Sequence, residues 1–165
     1  MNYYRVNLNK SYDAFQKHLK VTCPLEGHVG WVKMIQVKAG DIVLISKGLS
    51  IIESICVATK DAYVGNISYF CDAPELCSNS LITLDLNMLQ ECTIKSALLN
   101  ALLTKDSLLS NNFCVQLHPL ITNEFNNLLN CFLADKLHSD KIEIALRQLS
   151  MKQTELLSEI NEIMH

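Results

Sequence analysis

GHVGWVKMIQVKAGDIVLISKGLSI, residues 27–51, carries two short apolar runs on either side of a turn. Residues 29–37 alternate loosely and predict one strand. Ala39-Gly40-Asp41 has turn chemistry, since glycine and aspartate accept the backbone angles a tight reversal needs. Residues 42–46 (IVLIS) form a nearly continuous apolar run, short enough for a buried strand. Lys47-Gly48 interrupts it. No side chain in this block completes a catalytic set. The block reads as two strands of a small barrel.

Working outward, residues 3–8 (YYRVNL) predict a strand from their aromatic and β-branched content. Residues 11–20 read as a short helix or an irregular connection. Pro24 and Gly27 mark a turn over 23–27. Residues 50–59 and 67–71 read as further strands, separated by a turn at Gly65-Asn66. Residues 72–80 (DAPELCSNS) read as a loop, and 81–84 close the β region. The period then changes. Asp85 reads as the N-cap of a short helix running to Cys92, its carboxylate accepting from free backbone N–H groups. Residues 93–103 carry Ala97, Leu98 and Leu102 at helical spacing, and 112–117 read as extended. His118-Pro119 opens a helix with Leu120, Phe125, Leu128, Leu129 and Phe132 on its apolar face, and a last helix starts at Ser139 or Asp140. The expectation is an α+β chain: a β-barrel over residues 1–85 and a helical region over 86–165.

The last helix has the clearest periodicity. Ile142, Leu146, Leu149, Gln153, Leu156, Ile160 and Ile163 recur at alternating intervals of four and three. This is the seam of a coiled coil, with Gln153 as a polar position able to fix register. The stripe either meets the same helix of a second copy or packs on the domain's own core. Ile144, Ala145 and Leu157 widen the apolar face enough for one side to do each.

Composition narrows the classes of function. At 165 residues the chain makes one domain, or a domain with an appended element, and 49% hydrophobic content supplies a core. A net charge of -3 and the lack of a Lys/Arg run disfavour a chain that grips DNA phosphates unaided. The seven cysteines (23, 56, 71, 77, 92, 114 and 131) form no C-x-x-C pair and read as reduced, mostly buried thiols of a cytoplasmic protein. No secretory signal or membrane-length apolar run is read.

Chemistry-bearing patterns are sparse. No phosphate-cradling glycine loop and no G-x-S-x-G elbow occur. Of the five histidines only His28 falls where a metal-binding barrel would need one, so neither a metal nor a cofactor is expected. Cys114 and His118, four apart on an extended segment, stand too far apart for a nucleophile–base hydrogen bond. Asp41 and Glu53 lie in strand surroundings, and a turn role accounts for Asp41. Trp31, Tyr63, Tyr69 and Phe70 are the aromatics that either line an apolar ligand pocket or pack as ordinary strand side chains.

Three blocks together resemble the N-terminal regulatory domain of AraC-family transcription regulators, especially those that control virulence and type III secretion. The first is Gly30 to Gly48, with Val37, Gly40 and Asp41. The second is LITLDLNML at 81–89, and the third is the helix pair at 119–132 and 142–160. The resemblance implies a cupin-like, jelly-roll barrel without catalytic metal, joined to helices that form a homodimer. It implies an effector-sensing part of a cytoplasmic activator, answering to a small molecule, a fatty acid or a regulatory protein. DNA would be held by a separate pair of helix-turn-helix units not found in these 165 residues, so the chain is either part of a longer regulator or a stand-alone regulatory domain. The opening YYRVNL and the VKAGDIVLI block are also similar to PUA- or EVE-like barrels that read modified bases. The closing helix is similar to that of the target-recognition half of a restriction-modification specificity subunit. The PUA- or EVE-like reading needs an aromatic pocket and a basic rim, and the rim is not evident in the sequence. An enzymatic cupin is the remaining class, which metal analysis would test.

Overall fold

The computed structural model describes residues 1–25, 31–47, 51–95 and 114–116, with single positions between 127 and 162. The elements run β1 (Tyr3–Asn7), α1 (Tyr12–His18), β2 (Lys20–Pro24), a one-turn helix α2 (Trp31–Met34), β3 (Ile42–Ser46), β4 (Ile51–Ala58), β5 (Tyr63–Ser68), β6 (Glu75–Lys95) and β7 (Cys114–Gln116). The described chain is mostly β and curls into a barrel-like sheet of order β2-β6-β4-β3-β1-β7, with β5 added alongside β6. β1 runs parallel to β3, from Tyr3 opposite Ile42 to Asn7 opposite Ser46, and every other pairing is antiparallel. A parallel neighbour cannot be reached by a hairpin, and α1, β2 and α2 fill the crossover between them. A jelly roll is assembled from antiparallel strands alone. The expected jelly-roll arrangement is therefore corrected to a barrel-like sheet with one parallel pair.

Burial explains the strand composition. Tyr3 to Val6 and all of β3 are buried, so both faces of these strands are covered. That is why 42–46 reads as a continuous apolar run and not as an alternation. Tyr4, Val6, Val43 and Ile45 meet Val21, Ile82 and Leu84 in the core, against Phe15 of α1. Each such side chain contributes roughly 1.5–3 kcal/mol by leaving water. The Ala39-Gly40-Asp41 turn pins this core at its edge. Asp41 N–H donates to Lys38 O at 3.0 Å, and Gly40 takes φ +88°. The buried Asp41 carboxylate accepts from the Asn2 N–H at 2.7 Å and the Lys38 N–H at 2.9 Å. Asp41 thus ties the entrances of β1 and β3 together, in the turn role the sequence indicates.

Three local expectations change. Residues 31–34 are helical, not part of a strand: Met34 and Val37 are buried three apart, and i to i+3 bonds from Gln36 and Val37 continue the turn. Gly65-Asn66 is a bulge inside β5, not a reversal; a Cβ on Gly65 would stand 3.3 Å from Thr83 Oγ1. The largest change is β6, which takes in residues 75–80 of the expected loop and the expected helix from Asp85. The strand continues to Lys95, ten residues past the predicted end of the β region, because β4 pairs with it from Leu86 onward.

The seam residues Ile142, Leu146, Leu149, Gln153, Leu156, Ile160 and Ile163 lie outside the described residues. Gln148, Met151, Thr154, Glu155, Ser158, Glu159 and Glu162 are helical and exposed, as are Asn127 and Asn130. Among the described residues no helix is long and apolar enough to cross a membrane.

Candidate functional site

The chemistry-bearing side chains collect where α1 ends and β2 begins. Asp13 lies in the first turn of α1 and Lys17 and His18 in its last, each suited to the helix dipole there. Leu19 closes the helix in the left-handed conformation, φ 51°, with its N–H on Phe15 O at 2.7 Å. This sharp exit starts β2 at once, so Lys17, His18 and Lys20 share one corner.

Asp85 stands opposite Lys20 in the β2–β6 register. Its carboxylate accepts from Lys20 Nζ at 2.5 Å, from Lys60 Nζ at 2.9 Å and from Tyr63 Oη at 2.9 Å. Its backbone carbonyl accepts from both the N–H and the hydroxyl of Thr59. Burial pushes the Asp85 carboxyl up, but the hydrogen bonds from Lys20, Lys60 and Tyr63 outweigh it and leave the group below the usual carboxylate range. Burial, with the bond to Asp85 beside it, raises the Tyr63 phenol, which stays neutral at physiological pH.

Each tyrosine of this corner has a cation near its face. Lys60 Nζ lies 4.1 Å from the Tyr63 ring centre, and Lys20 Nζ lies 5.8 Å from that of Tyr69. The His18 ring packs on Tyr69 at 5.6 Å between centroids. His18 Nε2 also lies 3.1 Å from Asp72 O, while Lys17 pairs with the Asp72 carboxylate at 2.7 Å. The Tyr69 N–H donates to Thr22 Oγ1, which lays the segment after β5 over β2. Three lysines and a histidine therefore face two aspartates across two tyrosine rings, a locally positive patch on a chain of net charge -3.

Of the four aromatics singled out in the sequence, the structure brings Tyr63 and Tyr69 to this patch. Phe70 lines a neighbouring cavity of about 350 Å³ with Pro24, Leu76 and Leu81. Trp31 begins α2, and its side chain lies outside the described residues. Lys20, Lys60 and Asp85 were not legible as partners, because only the strand register joins positions so far apart in the chain. A second cleft of about 430 Å³ lies between Tyr12, Gln16, Glu53 and Glu91. No group of three His, Cys, Asp or Glu side chains able to hold a metal gathers among the described residues. His28 and His118 lie outside them.

The described cysteines are all free thiols. Burial pushes Cys23, Cys56 and Cys92 up to about 12 and raises Cys114 as well. These four are thiols, not thiolates, at neutral pH, and a nucleophilic role is closed to them there.

No family model and no curated protein matches the chain. Among solved structures, it is similar to the NMR structure of Rpa0253 from Rhodopseudomonas palustris. The TM-score is 0.45 at 13% identity, covering 84% of this chain and 96% of that one.

Proposed function

We propose that the barrel is a nucleic-acid recognition module whose contact surface is the Tyr63–Tyr69 patch with Lys17, His18, Lys20 and Lys60. The observation that carries this reading is the placement of a lysine beside each tyrosine ring, both lysines being held by one carboxylate. It supplies the aromatic platform and basic rim that PUA- or EVE-like barrels need and that the linear sequence does not display. A base stacks on a tyrosine face whatever its identity, worth about 1–3 kcal/mol. Phosphate oxygens accept hydrogen bonds from the lysine ammonium groups that Asp85 and Asp72 now hold. Because each lysine already has a carboxylate partner, the grip on phosphate is modest. Three lysines set a salt slope of about -2 for a single strand.

Fluorescence anisotropy with labelled single-stranded, duplex and base-modified duplex oligonucleotides tests the reading. Binding at low salt is expected, with Tyr69→Ala weakening it about tenfold or more and Lys20→Ala flattening the salt dependence. Absence of binding to all three probes, or binding that Tyr69→Ala leaves unchanged, overturns it.

The regulatory reading rests on a different part of the chain. Gln148, Met151, Glu155, Ser158 and Glu162 are exposed helical positions recurring at three and four, offset from the seam beginning at Ile142. These exposed positions, out of step with the apolar stripe in the sequence, support a regulatory and dimerisation domain of an AraC-like activator, with an effector taken up beside Phe70.

A further inference from the structure

Resting on the nucleic-acid reading of the Tyr63–Tyr69 patch, we propose that His18 makes strand binding there proton-dependent, its ring holding a phosphate only when charged. His18 ends α1 and is partly exposed. Its ring meets the segment after β5 at two points. It packs on the Tyr69 ring at 5.6 Å, tilted by 54°, and its Nε2 lies 3.1 Å from Asp72 O. A carbonyl oxygen only accepts, so Nε2 carries the hydrogen of the neutral ring and Nδ1 keeps a bare lone pair. Among the described residues no hydrogen bond reaches Nδ1.

That division of roles sets what the ring can do. A phosphate oxygen is itself an acceptor, so the Nδ1 lone pair of the neutral ring repels it. A proton on Nδ1 turns the same atom into a donor backed by positive charge, and such bonds to phosphate are among the strong ones. Histidine is the side chain that makes this change between about pH 5 and 8. The bond to Asp72 O survives it, since imidazolium donates from both nitrogens. The charged groups around the ring are Lys17 of α1, Lys20 of β2 and Asp72 of the covering segment, with Asp85 of β6 behind Lys20. Cys71, in the same segment, turns its thiol to Ala73 O. Asp72 holds Lys17, and Asp85 holds Lys20 and Lys60. No ion pair holds His18 among the described residues. The charge it gains is therefore the one in the patch that a phosphate takes without displacing a carboxylate.

Anisotropy with a labelled single-stranded oligonucleotide, read between about pH 8 and about pH 5.5 at roughly 0.1 M salt, tests this. Affinity is expected to rise about fivefold or more as pH falls, and the salt slope to steepen by about 0.7, the share of one added cation. His18→Gln is expected to abolish that rise, because its amide can keep the bond to Asp72 O but takes up no proton. His18→Lys, charged throughout the range, is expected to bind equally at both ends of it. Binding that does not strengthen as pH falls overturns the proposal, as does an acid-strengthened binding that either folded variant retains. Those results leave the nucleic-acid reading standing, whereas absence of binding at every pH removes both.

Discussion

Asp85 is where burial and hydrogen bonding oppose each other most directly. Its carboxyl titrates below its ordinary value of 3.8 because Lys20, Lys60 and Tyr63 bind the charged form. A carboxyl held low in the folded state stabilises the fold above the unfolded value, and loses that contribution as pH falls through the folded one. Asp85→Asn is therefore expected to cost about 1–3 kcal/mol at neutral pH. The gap to the unaltered protein should narrow well below pH 3.8, and urea melts at both pH values measure it. Little of this was readable beforehand, since an aspartate ahead of an apolar segment has the chemistry of a helix cap. Asp41 was readable for the opposite reason: its two bonds with Lys38 close a turn within three residues, and only those with Asn2 and Ala58 reach farther along the chain.

At the scale of elements, the strands whose composition is set by burial on both faces were legible, and the long β6 was not. From Leu84 to Thr93 the even positions are the more buried and the odd ones the more exposed, a period of two. The sequence shows that alternation from Leu84 to Met88, but Leu86 and Leu89 are also three apart, a helical spacing, and Asp85 has the chemistry of a helix cap. Tertiary pairing with β4 overrode the local preference. The Trp31–Met34 helix was missed in the reverse direction, through an apolar spacing of three taken for alternation. The turn between α2 and β3 offers a clean test. A Cβ on Gly40 meets nothing within 4 Å, so only its backbone angle resists substitution. Gly40→Ala is expected to lower stability by about 1–2 kcal/mol with spectra unchanged, as a thermal melt would record.

For the molecule as a whole, the two destinations open to the Ile142–Ile163 stripe, a second copy or the domain's own core, separate cleanly by experiment. If the seam recruits a second copy, Leu149→Lys or Leu156→Lys places a charge in it and shifts the sedimenting mass to monomer with the barrel intact. If the stripe packs on the domain's own core, the same variants lower the melting temperature instead. The sequence indicates the stripe by its period, yet period alone does not say which surface receives it.

The parallel partnership of β1 with β3 also has a bearing on time. The first strand leaves the ribosome some forty residues before its neighbour β3 exists, and more than a hundred before Cys114–Gln116 of β7 can close on its other side. Until then Tyr3, Tyr4 and Val6 wait without a home, and so long a delay slows assembly and prolongs exposure to misassociation. β1 is among the last elements of the sheet to settle.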